Sequence, residues 1–425
     1  MFARCLKALL EFVSAIKLDL VFDLNELHGR NCQLNSSCHP NCTCTGPWDS
    51  SNAKELLQWF HSDYSERDSK VYGFELGNEL TRSHHITMEE NVEDVQHLGK
   101  MVNAVWPPTA RQPRRFLVAP STDACDETAW QFIHGTANTL GAFSYHSYPA
   151  QDCRNYNAQM LNATWLRTGL IQRDAHANST GCIQAWQARS AAHKALQLWL
   201  TETNACYSLP MNKSSGKPID NPSGVGFMGS FLNGFWYVAS LGQYAESGVT
   251  MHGRWSLIGG SGFGIVNAVW TGPHGKSLEW VASPDFWVAV LHKKLIGQAR
   301  VLSSTSEVRS SLSNSAAIPL VYTYCKQTSL VVMYAHPGGQ PATIRVGAGM
   351  AARDAWVLTA PGGDLNATAP CLNGREVPLK LGPKGDLPNM DSVRVTGNAA
   401  DQWSVPAFSL GFATFSGSGA AEACA

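Results

Sequence analysis

Two glutamates 123 residues apart each close a run of apolar residues, Glu79 in VYGFELGNEL and Glu202 in LWLTETN. A carboxylate at the end of one buried strand is ordinarily a cap. Two of them on separate strands, with a third strand between them ending in His146 and Tyr148 (GAFSYHSYP), form a pattern with chemical meaning. Paired carboxyls about 5–5.5 Å apart carry out retaining glycoside hydrolysis: one protonates the leaving oxygen and the other attacks the anomeric carbon. Their surroundings must then hold them in different protonation states. Asn78 directly precedes Glu79, and Glu75 lies four residues before it, where it is expected to pack below the site.

Such a pair needs strands that point the same way. Apolar runs at 18–26, 70–79, 114–122, 141–149, 195–204 and 248–257 alternate with helical patterns at 50–64, 88–106, 127–140, 183–196 and 226–246, and a further helix is expected at 283–297. That alternation predicts parallel βα units. No glycine-rich phosphate loop follows an early strand, which disfavours a nucleotide-binding sheet. Polar residues instead gather at strand ends (Glu26, Glu79, His146, Glu202), as in a (β/α)8 barrel. Six barrel strands are found, so the first two of eight are expected to be missing. The opening MFARCLKALLEFVSAIK follows helical spacing at Phe2, Leu6, Leu9, Leu10, Val13 and Ile16 rather than signal-peptide form, and the chain is read as beginning within a fold. After about residue 300 short strand runs with turn residues predict a β-sandwich. The expected domains are therefore an N-terminally incomplete barrel over 1–298 and an all-β domain over 299–425.

Composition narrows the class. The chain has 425 residues, 44% of them apolar, with a formal net charge of −1, which argues against a nucleic-acid binder. No apolar stretch reaches the roughly 18 residues of a membrane span. Twelve cysteines and six glycosylation sequons, at Asn35, Asn41, Asn162, Asn178, Asn212 and Asn366, point to a secreted or luminal glycoprotein. Cys32, Cys38, Cys42 and Cys44 crowd together; disulfides fit them better than zinc, because no CxxC pair repeats. Neither a metal nor a cofactor is expected, and the sequence names no protein partner.

FDLNELHGRN, FELGNEL, FSYHSYP, LWLTETNACY, SLIGGSGFGIV and DFWVAVLHKKLIGQ, in that order, resemble the heparanase-like glycoside hydrolases of family 79. The likeness runs from about residue 10 to the end, and takes in Cys325 and Cys424, which are expected to bond to each other. It implies Glu79 as acid/base, Glu202 as nucleophile, Asn78 as a partner of the sugar 2-hydroxyl, and His146 and Tyr148 as site lining. It also implies substrate contacts from Tyr207, Arg254, Gly262 and Phe263, and a glucuronide or glucuronate-containing glycan as substrate. The chain departs from the family where a glycine run follows the nucleophile, here Cys206–Tyr207–Ser208. It departs again where Arg-Gln becomes Arg254–Trp255, and where Gly-Asn-Tyr becomes Ser261–Gly262–Phe263. These changes bear on uronate recognition more than on hydrolysis. A catalytically silent glycan-binding homologue and a same-clan hydrolase of a neutral sugar such as xylose or arabinose are the alternatives.

Overall fold

The computed structural model describes the chain apart from residues 1, 34–42, 64–70, 108–115, 124, 126–127, 137, 151–155, 173–178, 207–226, 260–262, 272–276, 304–317, 383–384 and 395–400. The six expected barrel strands form: β1 (Leu20–Leu24), β2 (Val71–Leu76), β3 (Phe116–Thr122), β4 (Ala142–Ser147), β5 (Gln197–Thr203) and β6 (Val249–Arg254). They lie hydrogen-bonded in sequence order in one sheet. β1 to β4 pair in parallel, with Asp23 opposite Glu75, Phe74 opposite Leu117 and Ala119 opposite Phe143. Parallel neighbours require crossovers, and helices supply them. This is a (β/α)8-type fold of which six strands are described.

The flanking helices form where apolar residues recur at three and four positions. In Met88–Val105 the buried residues include Val95, Leu98 and Val102, and the helix starts at a capping box in which Thr87 and Glu90 satisfy each other's backbone N–H groups. Phe2–Ala15 is helical as its spacing predicts; it buries Leu6, Leu10 and Val13 and exposes Leu9 and Phe12. Phe60, Phe74 and Trp106 fill the space between helices and sheet, with Phe74 stacked on Trp106 at 5.8 Å. Cys32 bonds Cys44 across the small hairpin Asn31–Cys32/Cys44–Thr45, and Cys125 bonds Cys182. Cys38 and Cys42 lie outside the described residues.

Packing divides the chain into two units. The first comprises Met1–Ser147, His176–Glu202 and Val249–His252; the second comprises Tyr148–Ala175, Thr203–Gly248 and Gly253–Ala425. In the second unit the helix Phe231–Glu246 is apolar on nearly every face and correspondingly buried. A sheet runs in the order Arg300–Leu302, Leu320–Lys326, Ser329–His336, Ser409–Ser416, Ala351–Thr359, Cys371–Leu372. Val332, Tyr334, Ala413 and Phe415 from this sheet pack with Ile344, Trp403 and Val405 from the two-stranded sheet Ala342–Arg345/Gln402–Val405. Two sheets enclosing one apolar layer make the expected β-sandwich.

Two features differ from the sequence reading. A hairpin of Val266–Thr271 with Ser277–Ala282 forms where no strand was expected, and the chain ends in a helix, Ser418–Cys424, within the region read as all-β. That helix brings Cys424 to Cys325 at a Cα separation of 5.3 Å, and the two are bonded as expected. Of the six sequons, Asn162 and Asn366 are described and both are exposed. Asn162 Oδ1 accepts the N–H of Trp165 at 3.0 Å, which leaves its amide nitrogen directed away from the helix start. Asn35, Asn41, Asn178 and Asn212 lie outside the described residues.

Candidate active site

Glu79 does not end the strand itself. β2 stops at Leu76, and three residues turn the chain. Gly77 takes φ +71° and donates its N–H to the Leu24 carbonyl at 3.1 Å. Exposed Asn78 follows, and then Glu79 at φ +54°, in a left-handed conformation that only a minority of non-glycine residues adopt. Two bonds hold it there: its N–H donates to the Ser121 carbonyl at 3.0 Å, and its own carbonyl accepts from Ser83 Oγ. The turn lifts the carboxyl off β2 toward β4.

There it meets His146. Nδ1 of this buried imidazole is 2.6 Å from Glu79 Oε1 and 4.0 Å from Glu202 Oε2. One donor or acceptor atom from each of Glu79, His146 and Glu202 lies within 4.8 Å of the other two. The two glutamates therefore converge, with side chains 31% and 18% exposed, so a substrate can reach both. Such a trio could also accept a small cation geometrically. The 2.6 Å bond between Glu79 and His146 is instead that of two groups already satisfying each other.

The electrostatics follow from enclosure. Burial by itself would depress the basicity of His146. The bond to Glu79 and the charges of Glu202, Glu79 and Glu75 outweigh it, and its pKa lies above the ordinary histidine value. Glu75 sits on β2 below the pair. Burial raises its pKa first, the Glu202 charge adds to that, and His146 and the hydroxyls of Ser121 and Ser144 partly offset it. Opposite Glu75 on β1, Asp23 is pushed up to about 7 by the protein packed around it and then by Glu75. Asp23 is nonetheless open to solvent.

The other expected site residues divide. Glu26 lies away from the pair, fully buried among Arg30, Asn91 and Asp94: Asn91 Nδ2 donates to its Oε2, and Arg30 bonds Asp94. Tyr148, Arg254 and Phe263 belong to the second unit. Arg254 is committed: Nε and Nη2 are each 2.9 Å from Asp285 Oδ2, and Nη1 donates to the Phe263 carbonyl at 2.9 Å. Asp285 in turn accepts from Asn233, whose oxygen accepts from Tyr156. Tyr207 and Gly262 lie outside the described residues.

Sequence reasoning missed Ser121, Ser144, Thr201 and Asp23. The available signal was VAPST, in which a proline interrupts a buried strand just before two hydroxyl residues. β3 slips register between Ala119 and Thr122, and Ser121 takes φ +51° within the slip.

The model of the glycosyl hydrolase family 79 N-terminal domain matches residues 4–242, more than half of the chain. Heparanase-like protein 3 of Arabidopsis thaliana is 23% identical, and the match covers 92% of this chain and 69% of that protein. A hyaluronoglucuronidase of Hirudo nipponia is 24% identical over 87% of this chain and 69% of its own length. Among solved structures, the family 51 arabinofuranosidase of Xanthomonas axonopodis pv. citri superposes with a TM-score of 0.62 at 12% identity, covering 96% of this chain and 77% of that one. At that identity the structural likeness speaks for the barrel fold, whereas the family model speaks for descent: the chain belongs to glycosyl hydrolase family 79 and is a glycosidase.

Proposed function

We propose that the protein is a retaining β-glucuronidase acting on glucuronides or glucuronate-containing glycans, with Glu202 as nucleophile and Glu79 as acid/base. The observation that carries this reading is the convergence of the two carboxyls to within 4.8 Å around one imidazole. That spacing belongs with direct attack rather than with a carboxylate-activated water, which needs about 6.5–9.5 Å. The name of the Hirudo nipponia relative supports the uronide, as does family membership.

In the first step Glu202 attacks the anomeric carbon, the glycosidic C–O bond breaks, and the departing oxygen takes the Glu79 proton. In the second step Glu79 accepts a proton from water as the water oxygen displaces Glu202. His146 suits both halves. The pair loses one proton to the leaving oxygen in the first step and regains one from water in the second, and across the 2.6 Å bond the imidazole shares the proton that Glu79 holds between these steps. Three disulfides and two exposed sequons among the described residues support a secreted or luminal setting. No helix among the described residues is long and apolar enough to cross a membrane.

One observation favours a second reading. Arg254, which the family resemblance offers to substrate, spends its guanidinium on Asp285 and on backbone carbonyls, and so is not presented to a uronate carboxylate. A neutral pentoside would not need it. Hydrolysis of nitrophenyl β-glucuronide, β-xyloside and α-arabinoside separates the two readings. Glu202→Gln is expected to abolish turnover. Glu79→Ala should accumulate a glycosyl–enzyme on activated substrates and regain turnover with azide. Equal, modest losses in both variants would reduce the carboxylates to structural groups and leave a glycan-binding protein.

A further inference from the structure

Resting on Glu79 as acid/base, we propose that Ser121 is a positioning residue for it, fixing the backbone of Glu79 through its carbonyl and the carboxyl of Glu79 through its hydroxyl and His146. The Ser121 carbonyl accepts the Glu79 N–H at 3.0 Å. The Ser121 Oγ lies 2.9 Å from His146 Nε2, and the opposite ring nitrogen is the one that meets Glu79 Oε1 at 2.6 Å. One residue therefore sets both ends of another that lies in the turn after a different strand.

Ser121 is itself held from several directions. Its N–H donates to Ser144 Oγ on β4 at 2.8 Å, and its hydroxyl is 3.3 Å from Thr201 Oγ1 on β5, the neighbour of Glu202. The hydroxyls of Ser121 and Ser144 also bond Glu75 on β2. A hydroxyl directed at Glu75 or Thr201 leaves a lone pair for an Nε2–H of His146, and a hydroxyl rotated toward the ring donates to a bare Nε2. Serine can thus follow the imidazole through both protonation states that an acid/base residue visits, which neither an alanine nor a fixed carboxylate could do. The charged groups facing His146 are Glu79, Glu202 and Glu75, with Asp23 behind them. All of them attract a proton to the ring, so the partner on Nε2 decides how the ring is oriented and not merely whether it is charged.

The backbone explains why a strained residue is tolerated. At φ +51° a serine is costly, and glycine would be the relaxed choice. Glycine would keep the carbonyl where it is and lose only the hydroxyl, so it separates the two roles of the side chain and the turn.

The test compares Ser121→Gly with Ser121→Ala, using kcat and KM on an unactivated glycoside across pH and following the His146 ring nitrogens by 15N NMR. The expected result is a loss of roughly tenfold in kcat in both variants with KM little changed, the scale of one hydrogen bond to a charged group. The basic limb of the profile should move to lower pH by about half a unit, because the imidazolium loses its acceptor. The His146 titration should move the same way in folded protein, whatever the substrate. Wild-type kcat and an unmoved His146 titration in Ser121→Gly would overturn the proposal, and impairment of Ser121→Ala alone would overturn it in favour of a backbone role. An unaltered activity in Glu202→Gln is a different result: it refutes the assignment of the glutamates, and the NMR titration still decides for or against the Ser121 bond.

Discussion

Replacing Gly77 by alanine should damage both catalysis and folding, and the structure gives the reasons separately. The residue sits at φ +71° in the turn that carries β2 into Glu79, where a side chain costs about 1–2 kcal/mol. A Cβ built there would fall 2.8 Å from Leu80 Cδ1 and closer still to Glu26 Oε2. The far end of a glutamate could ordinarily swing aside, but this one is fully buried and held by Asn91 beside Arg30. The turn must therefore yield, by something near 1 Å if ordinary contact is to be restored. A displacement of that size at a reacting group costs about 100-fold in rate, and overpacking adds about 1–3 kcal/mol to the conformational cost. Steady-state kinetics and thermal denaturation of Gly77→Ala, Glu26→Ala and the double variant test this. The double variant should recover the steric part of the loss and not the conformational part, giving an interaction of about 1 kcal/mol or more. Strictly additive effects, or a Gly77→Ala enzyme with unaltered kcat, would refute the reasoning.

Stability should fall as pH rises from about 6.5 to 8. His146 has a raised pKa, so its contribution is full below the unfolded histidine value and is lost as pH climbs through the folded one; Asp23, Glu75 and Glu26 are likewise raised and favour the folded state only while protonated. His292, lowered to about 4, and His336, also lowered, oppose this only below about 6.5, so a Tm that increased between pH 6.5 and 8 would contradict the assignment. Breaking the Cys325–Cys424 bond by a double alanine replacement releases a loop closed over 99 residues and should cost about 2–4 kcal/mol, read as a lowered denaturation midpoint; an unchanged midpoint would show the bond to be dispensable. Arg254→Met leaves the fully buried Asp285 without its cation and should cost about 3–5 kcal/mol in chemical denaturation, whereas adding Asp285→Leu should restore much of that; if the double variant is no better than the single one, the pair is not the structural unit described here.

The strand–helix alternation, and with it the barrel, followed from the sequence because burial on a parallel sheet imposes a recognisable pattern: strands at 71–76, 116–122 and 142–147 rich in apolar residues and largely buried, between helices with apolar residues at three and four spacings. Glu79 and Glu202 were recognisable for the same reason, since a carboxylate ending such a strand stands against its surroundings. The pairing of Cys325 with Cys424 was expected from the family resemblance, but the short terminal helix that brings them together was not. Sequence could not show the turn that takes Glu79 off its strand, because φ +54° at a glutamate is imposed by the Ser121 carbonyl and not by any local preference. Nor could it show that Arg254 is consumed by Asp285, or that Glu26, another carboxylate just past a strand, is buried away from the site beside Arg30 and Asn91. Residue type and local period are written in the chain, and they set which strands and helices form. Which polar side chain faces which depends on the register of neighbouring strands and on turns held by distant carbonyls, and those exist only once the sheet has assembled.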